Sequence, residues 1–147
     1  MATLNEMLRR STRLESPDRE WLHLLVGDWQ LISDLSFADL VLWVRRTVLD
    51  EESAAQDGVQ DEWIAVAHVR PNTGQMVFYE DVVGRATLPH LESLLDEAES
   101  TGSVVRAPQV HHHDDLRVRE EAFPVLRQGR SIAAVSRHTN LGGRTPT

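Results

Sequence analysis

The chain has 147 residues, of which 41% are hydrophobic and 26% charged, and this size and composition fit one soluble globular domain with a substantial core. Its net charge of −8 opposes non-specific binding to nucleic acid, so no nucleic-acid partner is expected. The chain contains neither cysteine nor lysine, which excludes disulfides, cysteine-ligated zinc, thioether-linked chromophores, a P-loop lysine and a Schiff base.

The N-terminal residues predict a helix and neither a signal peptide nor a membrane span. Thr3 to Glu6 fits a capping box, which predicts a short helix to about Arg10, and residues 1–15 are interpreted as a helical extension. Charged residues follow the apolar ones here, which is not the order of a signal peptide, and no apolar run is long enough to cross a bilayer. We therefore expect a cytoplasmic protein without a membrane partner.

A second helix is predicted to start at Ser16-Pro17-Asp18, with Ser16 as its cap, Pro17 at the first helical position and an acid in the first turn. Its apolar residues recur at spacings of three and four and form a wide stripe, made of Leu22, Leu25, Val26, Trp29 and Ile32 with Trp21, Leu24 and Leu31 beside them. A stripe of this width fits either a large core or a dimer interface, and the sequence favours neither.

The middle of the chain predicts three strands. Residues 37–44 are nearly all apolar, and a strand from Leu40 to Arg46 is predicted because charged residues and an acidic surface loop, 47–61, follow it. The acids of that loop do not fit an EF-hand. Residues 62–70 alternate with period two, which places Trp63, Ala65, Ala67 and Val69 on one face and Ile64, Val66, His68 and Arg70 on the other. A turn at 71–74 and a third strand from Met76 to Tyr79 are predicted next.

The C-terminal half predicts a helix and a terminal hairpin. Leu88 to Ala98 has a helical pattern that Gly102 ends, Val104-Val105 is a brief strand, and residues 108–116 are a loop. Apolar runs at 122–126 and 132–135 flank a turn in which Gly129 can supply positive φ. The second run is apolar at consecutive positions, so it is placed inside a sheet, and Pro124 predicts an open edge or a bulge in the first. These elements predict an α+β fold, an antiparallel sheet with helices on its faces.

Two groups of polar residues are candidate binding sites. His111, His112 and His113 could bind zinc, nickel or copper, but consecutive loop residues rarely point at one ion, so at most adventitious metal is expected there. His68 either lines a ligand cavity or is a core histidine with satisfied hydrogen bonds. The candidate pocket residues are Trp43, His68, Arg70, Asn72, Thr73 and Tyr79. Motifs for a nucleophile elbow, a dinucleotide fingerprint or a P-loop do not occur, so no catalytic residue is predicted.

Four segments in succession resemble the N-terminal GAF-like domain of bacterial sensor histidine kinases of the PdtaS type. Residues 26–44 resemble its first helix and strand, and residues 69–74 resemble its Arg-Pro-x-Thr-Gly turn. The segment Asp81-Val-Val-Gly resembles the residues before its third helix, and residues 118–141 resemble its terminal hairpin. The long acidic loop and the triple histidine depart from the family, which removes those two segments from any inferred ligand contact.

The resemblance implies a GAF-like antiparallel sheet of five to six strands with helices on both faces, in a single domain of residues 1–147 whose last residues, 141–147, would link to a PAS domain. It implies the signal-input domain of a cytoplasmic two-component sensor histidine kinase, in which ATP and Mg²⁺ serve the kinase module and a response regulator receives the phosphoryl group. This chain has no ATP-binding Asn-rich box, so it is expected to be non-catalytic and without a cofactor of its own.

Two functions fit this reading. In the first, the chain forms a homodimer in which a small ligand, or contact with the PAS and kinase modules, biases the orientation of helices; a ligand can shift such an equilibrium only by its differential affinity for the two states. In the alternative, the chain is a structural dimerisation or docking module with a degenerate, ligand-free pocket.

Overall fold

The centre of the molecule is an antiparallel β-sheet. A computed structural model describes residues 4–9, 14–36, 38–48, 60–71, 77, 82–87, 89–113 and 116–142. Within those ranges the sheet has six strands, which are β1 (Ala38–Val48), β2 (Gln60–Val69), β3 (Val105–Arg106), β4 (His111–His113), β5 (Leu116–Arg127) and β6 (Arg130–Asn140). Their order is β2-β1-β6-β5-β3, and β4 also pairs with β5. The predicted α+β class and the size of the sheet are confirmed.

Helices cover both faces of the sheet, as predicted. The described helices are α1 (Leu4–Arg9), α2 (Ser16–Gly27), α3 (Trp29–Ser36) and α4 (Pro89–Thr101). Because side chains alternate along a strand, Leu40, Leu42 and Val44 of β1 pack with α1, α2 and α3, whereas Val41 and Trp43 pack with α4. We call these two sides the N-terminal face and the α4 face. In the described ranges, no helix has both the length and the apolar content that a membrane span requires.

The terminal hairpin forms as predicted. β6 pairs with residues 118–127 of β5, except at Ile132, and lies between β5 and β1, so its consecutive apolar residues Ile132 to Ala134 are buried. At the turn, Gln128 has φ 54° and Gly129 has φ 76°. The bulge is in β6, because Val125 lies opposite Ala133 and Leu126 opposite Ser131, which makes Ile132 the extra residue. In β5, Pro124 lies opposite Ala134, and among the described residues its other edge is open, since β3 and β4 pair only with earlier residues of the strand. The strand continues past its apolar run to Asn140, because its later polar residues have partners inside the molecule.

The predicted faces of β2 are wrong beyond Val66. Leu42 lies opposite Ala67, whereas Trp43 lies opposite Ala65, so β2 contains one extra residue at this point. Such a bulge reverses the side on which every later residue points. Ala67 therefore packs on the N-terminal face with Leu42, and His68 lies on the α4 face, opposite Val41.

The long second helix is divided into α2 and α3, and its cap is one residue earlier than predicted. Glu15 is the N-cap: its carbonyl accepts the N–H of Arg19, and its own N–H donates to Asp18 Oδ2 at 3.0 Å. The helix ends at Gly27, a poor helix former, and Asp28. Because the chain turns there, the wide apolar stripe is not fully buried, and the exposed fractions are 49% for Trp21, 70% for Leu24, 63% for Leu31 and 43% for Ile32.

The remaining elements are mostly in their predicted places. α4 ends at Gly102, which has φ 65°, and the brief strand starts at Val105, one residue later than predicted. The predicted loop at 108–116 is wrong in part, because His111–His113 pair with Leu116–Val118; three residues are too few for a strand pattern to be visible in a sequence. The predictions on Thr3, on loop residues 49–59 and on the third strand lie outside the described residues, apart from Val77.

The hairpin turn offers a small, testable gain in stability. Gln128 is a non-glycine residue with positive φ, a region that asparagine occupies at lower cost. We expect Gln128→Asn to raise the free energy of unfolding by about 0.5 kcal/mol, measured by urea denaturation. Gln109→Asn, at an exposed residue outside the turn, is the control, and an equal gain in both variants would contradict the backbone explanation.

Candidate functional site

A row of buried polar side chains crosses the α4 face at the end of the sheet where β1 begins and β6 ends. We call it the polar row; its members are Asp39, His68, Glu120, Ser136 and His138. Strand pairing brings them together, because Asp39 lies opposite His138, and His138 lies opposite Glu120. Buried polar groups cost free energy unless they are hydrogen-bonded, so these residues must satisfy one another.

At one end of the polar row, Asp39 joins two other segments. Its Oδ2 lies 2.9 Å from His68 Nε2, and its Oδ1 accepts the backbone N–H of Val77 at 2.7 Å. The carboxylate is completely buried. Asp39 therefore ties β2 and Val77 to the first strand, and the His68 side chain is buried in contact with its carboxylate.

The centre of the polar row fixes the orientation of His138. Trp43 Nε1 donates to Ser136 Oγ at 2.7 Å, and Ser136 Oγ lies 2.7 Å from His138 Nε2. Because an indole can only donate, the serine oxygen accepts from Trp43, and the same oxygen contacts Nε2 of His138. Ser136 therefore joins Trp43 of β1 to His138 of β6.

Glu120 is an ionised carboxylate in the interior. Its residue is 3% exposed, and His138 Nδ1 lies 2.9 Å from Oε2. Burial alone would raise the pKa of Glu120, but the hydrogen bond and charge of His138, with the charges of His90 and His111, outweigh burial and hold this pKa below its ordinary value. The carboxylate is therefore available as an acceptor at neutral pH.

The polar row reaches the surface between α4 and β4. Glu120 Oε1 lies 3.0 Å from Nε2 of His90, which is in the first turn of α4. The imidazole rings of His90 and His111 are stacked, with centroids 4.0 Å apart and an interplanar angle of 18°. One potential ligand atom from each of His90, His111 and Glu120 lies within 4.8 Å of the other two.

The residues that the sequence nominated for a pocket are only partly brought together. His68 is a member of the polar row, and Trp43 donates to it. Arg70 lies just after β2, where its carbonyl accepts a hydrogen bond from Gln30 Nε2. The other three nominated residues, Asn72, Thr73 and Tyr79, lie outside the described residues. Of the histidine run, His111 contacts His90, His112 is exposed, and the side chain of His113 is outside the description, as are Asp114 and Asp115.

Five polar residues of this region were not among the candidate pocket residues predicted from the sequence. Asp39 interrupts an otherwise apolar run, and a charge in such a position is a signal of a buried partner that could have been used. Ser136 and His138 continue the period-two pattern that includes Ala134. For His90 and Glu120 the sequence carries no comparable signal, because their proximity depends on how α4 docks on the sheet.

Two cavities lie away from the polar row. A groove of about 430 Å³ on the N-terminal face runs between α2, α3 and the terminal hairpin; its lining includes Trp21, Leu25, Ile32, Phe123 and Leu126, and we call it the apolar groove. A second cavity of about 290 Å³ is lined by residues that include Arg45, Trp63, Glu99 and Arg130. Arg45 is already bound there by Glu99 and Asp96 and lies over the Trp63 ring, so its charge is compensated by residues of the same chain.

Comparison with known families and proteins gives one consistent result. Residues 4–147 match the family described as "Histidine kinase PdtaS, GAF domain". A sensor histidine kinase PdtaS from Mycolicibacterium smegmatis is 35% identical over 151 residues, and the alignment covers 100% of this chain and 28% of that protein. The PdtaS of Mycobacterium tuberculosis is 36% identical over 143 residues, covering 94% of this chain and 26% of that protein. The chain thus spans about a quarter of the length of these curated relatives.

A solved structure has the same fold. The structure, described as "Sensor region of a sensor histidine kinase", superposes with a TM-score of 0.69 at 31% sequence identity. The superposition covers 100% of this chain and 46% of the other. The similarity therefore extends over the whole arrangement of sheet and helices.

Proposed function

Because the chain belongs to the family of GAF domains of histidine kinase PdtaS, and is a regulatory signal-input domain, we propose that it controls a kinase module in the same protein. In this proposal the protein is cytoplasmic, a PAS domain follows residues 141–147, the kinase module phosphorylates itself with ATP and Mg²⁺, and a response regulator accepts the phosphoryl group. The observation that carries the proposal is that the whole chain aligns with 28% of a sensor histidine kinase, which leaves most of such a protein for the other modules.

A physical route from the site to the next module supports this proposal. After β6, Leu141 N–H donates to Arg117 O at 2.8 Å, and Arg117 N–H donates to Gly142 O at 3.0 Å. Arg117 also lies opposite His112 of β4. The segment that leaves the sheet is therefore bonded to the same part of β5 that holds β4, so an event at His111 or Glu120 would change the strand that holds the exit.

The test compares the complete protein with a version lacking residues 1–140, using incorporation of labelled phosphate from ATP and Mg²⁺. We expect both to be phosphorylated but at different rates, and we expect a ligand found by thermal-shift screening against nucleotides, cyclic dinucleotides and divalent metals to act only on the complete protein. Equal rates under every condition, with no ligand found, would favour a structural role for this domain.

The second candidate function is a dimerisation or docking module, and the exposed side chains of α2 and α3 favour it. Trp21, Leu24, Leu31 and Ile32 are each more than two-fifths exposed, and Trp21 and Ile32 also line the apolar groove. Several large apolar side chains exposed on two consecutive helices, two of them beside an apolar groove, indicate an interaction site. We propose that it is the homodimer interface.

This proposal predicts that Leu24→Arg or Leu31→Arg converts a dimer into a monomer, because each places a charge inside an apolar interface. Sedimentation velocity at micromolar concentration measures the effect, and we expect the dissociation constant to rise at least about tenfold. Glu20→Ala, an exposed change on the same helix, is the control. A wild-type chain that is monomeric at these concentrations would remove the proposed interface.

A further inference from the structure

Three potential metal ligands from three separate elements converge where the polar row reaches the surface. His90 is on α4, His111 on β4 and Glu120 on β5, and their potential ligand atoms lie within 4.8 Å of one another. The residues are distant in sequence, so the convergence is a product of the fold and not of the histidine run. Three acceptor atoms placed so closely repel one another unless a proton or a cation lies among them.

The identity of the three donors selects the class of cation. Two imidazole nitrogens and one carboxylate oxygen form a ligand set that zinc binds, with a fourth position left for water. Calcium and magnesium prefer oxygen donors only. We propose that His90, His111 and Glu120 bind one zinc ion between α4, β4 and β5. Zinc binding by these three residues does not depend on the chain's place in a kinase.

The geometry needs only small adjustments to bind zinc. In a tetrahedral zinc site the ligand atoms lie about 3.3 Å apart, as follows from Zn–N and Zn–O distances of about 2.0–2.1 Å. His90 Nε2 and Glu120 Oε1 are already 3.0 Å apart, and the His90 side chain is 37% exposed, so it can rotate and leaves a path for the ion. Bringing the ligand atoms to zinc-binding distances therefore moves side chains at the surface and leaves the buried part of the sheet in place.

The buried end of the carboxylate is already oriented. Glu120 directs Oε1 to His90 and Oε2 to His138, so the first oxygen can bind an ion while the second stays in contact with His138. His138 contacts Ser136 in turn, and Ser136 accepts a hydrogen bond from Trp43. Outer contacts of this kind orient metal-binding carboxylates and raise metal affinity. These contacts distinguish Glu120 from a surface glutamate that merely pairs with a histidine.

The experiment titrates ZnCl₂ into the chelator-treated 147-residue protein and follows binding by calorimetry and thermal unfolding. We expect one saturable site per chain and a higher unfolding temperature with zinc, but not with CaCl₂ or MgCl₂. His90→Ala should lower zinc affinity at least about tenfold. Because His90 is exposed, this variant should keep the fold, which far-UV circular dichroism checks. His111→Ala should have a similar effect.

The matched control is His112→Ala, at the neighbouring exposed residue. If zinc affinity falls as much in His112→Ala as in His111→Ala, the ion binds the histidine run adventitiously and the proposal is wrong. Absence of saturable binding, or unchanged affinity in His90→Ala, would also overturn it. Co²⁺ in place of zinc gives an independent readout: a four-coordinate site has intense visible bands, which we expect in the wild type and not in His90→Ala.

Discussion

Replacing Asp39 with alanine is expected to lower the free energy of unfolding by about 3 kcal/mol, since a buried side chain with two polar contacts in the interior is removed. The change takes away the acceptor of the Val77 N–H and the partner of His68, both in the interior. Desolvated donors without that acceptor are costly because water cannot replace it. Urea denaturation followed by circular dichroism measures the loss.

Two further variants separate hydrogen bonding from general effects of substitution. Asp39→Asn keeps one oxygen acceptor, so we expect about half of the loss that alanine causes. Asp34→Ala removes an acid of α3 whose partner is the exposed Gln30, and we expect a change within about 0.5 kcal/mol. Equal losses for Asp39→Ala and Asp34→Ala would mean that the Asp39 contacts do not stabilise the fold.

Asp18→Ala is the second change with a large expected effect, about 2 kcal/mol at neutral pH. The carboxylate of Asp18 is inaccessible to solvent beneath two arginine side chains: Arg127 NH1 lies 3.1 Å from Oδ1 and Arg130 NH2 lies 2.8 Å from Oδ2. These arginines are on either side of the hairpin turn, whereas Asp18 is in the first turn of α2. Because the arginines keep some exposure, the expected loss is smaller than for a fully buried ion pair.

The effect of Asp18 should depend on pH. Burial alone would raise the pKa of this carboxyl, but the Glu15 backbone hydrogen bond, Arg130 and Arg127 outweigh burial and lower the pKa below the ordinary value of 3.8. A carboxyl whose pKa is lower in the folded state stabilises it at pH above the ordinary value, and this stabilisation is lost as pH falls through the folded pKa. The difference between wild type and Asp18→Ala should therefore be full at pH 7 and shrink below about pH 4.

Denaturation curves at pH 7, 5 and 3 test this expectation, with the exposed Glu20→Ala on the same helix as the control. A difference between wild type and Asp18→Ala that is as large at pH 3 as at pH 7 would show that the variant loses packing and not an ion pair. The two aspartates thus give separate tests of the two faces of the sheet.

The parts of the fold that depend on local pattern were predictable. The apolar runs of β1 and β6, the glycine of the hairpin turn and the glycine that ends α4 each carry their signal within a few residues. The bulge at Val66 was not predictable, because it arises from the pairing of β2 with β1 and has no glycine or proline to mark it. That one residue moved His68 to the opposite face from the one expected.

The candidate site was less predictable than the fold, for a related reason. The sequence identified His111 only as one member of a histidine run, together with its neighbours in the chain. Its partners are His90 and Glu120, which are 21 and 9 residues away by their numbers and meet it only through the docking of α4 and β4 on β5. Long-range contacts of this kind are fixed by tertiary packing, which a single sequence does not display.

The terminal hairpin extends from α2 to the segment that leaves the sheet after β6. β5 has 12 residues and β6 has 11, so the ribbon extends roughly 36 Å at about 3.3 Å per residue. Its closed tip is clamped to α2 by Asp18, and its open base carries the outgoing segment at Leu141. A tilt of α2 would therefore displace the segment that leaves the sheet at Leu141, while the pairing between the strands is kept.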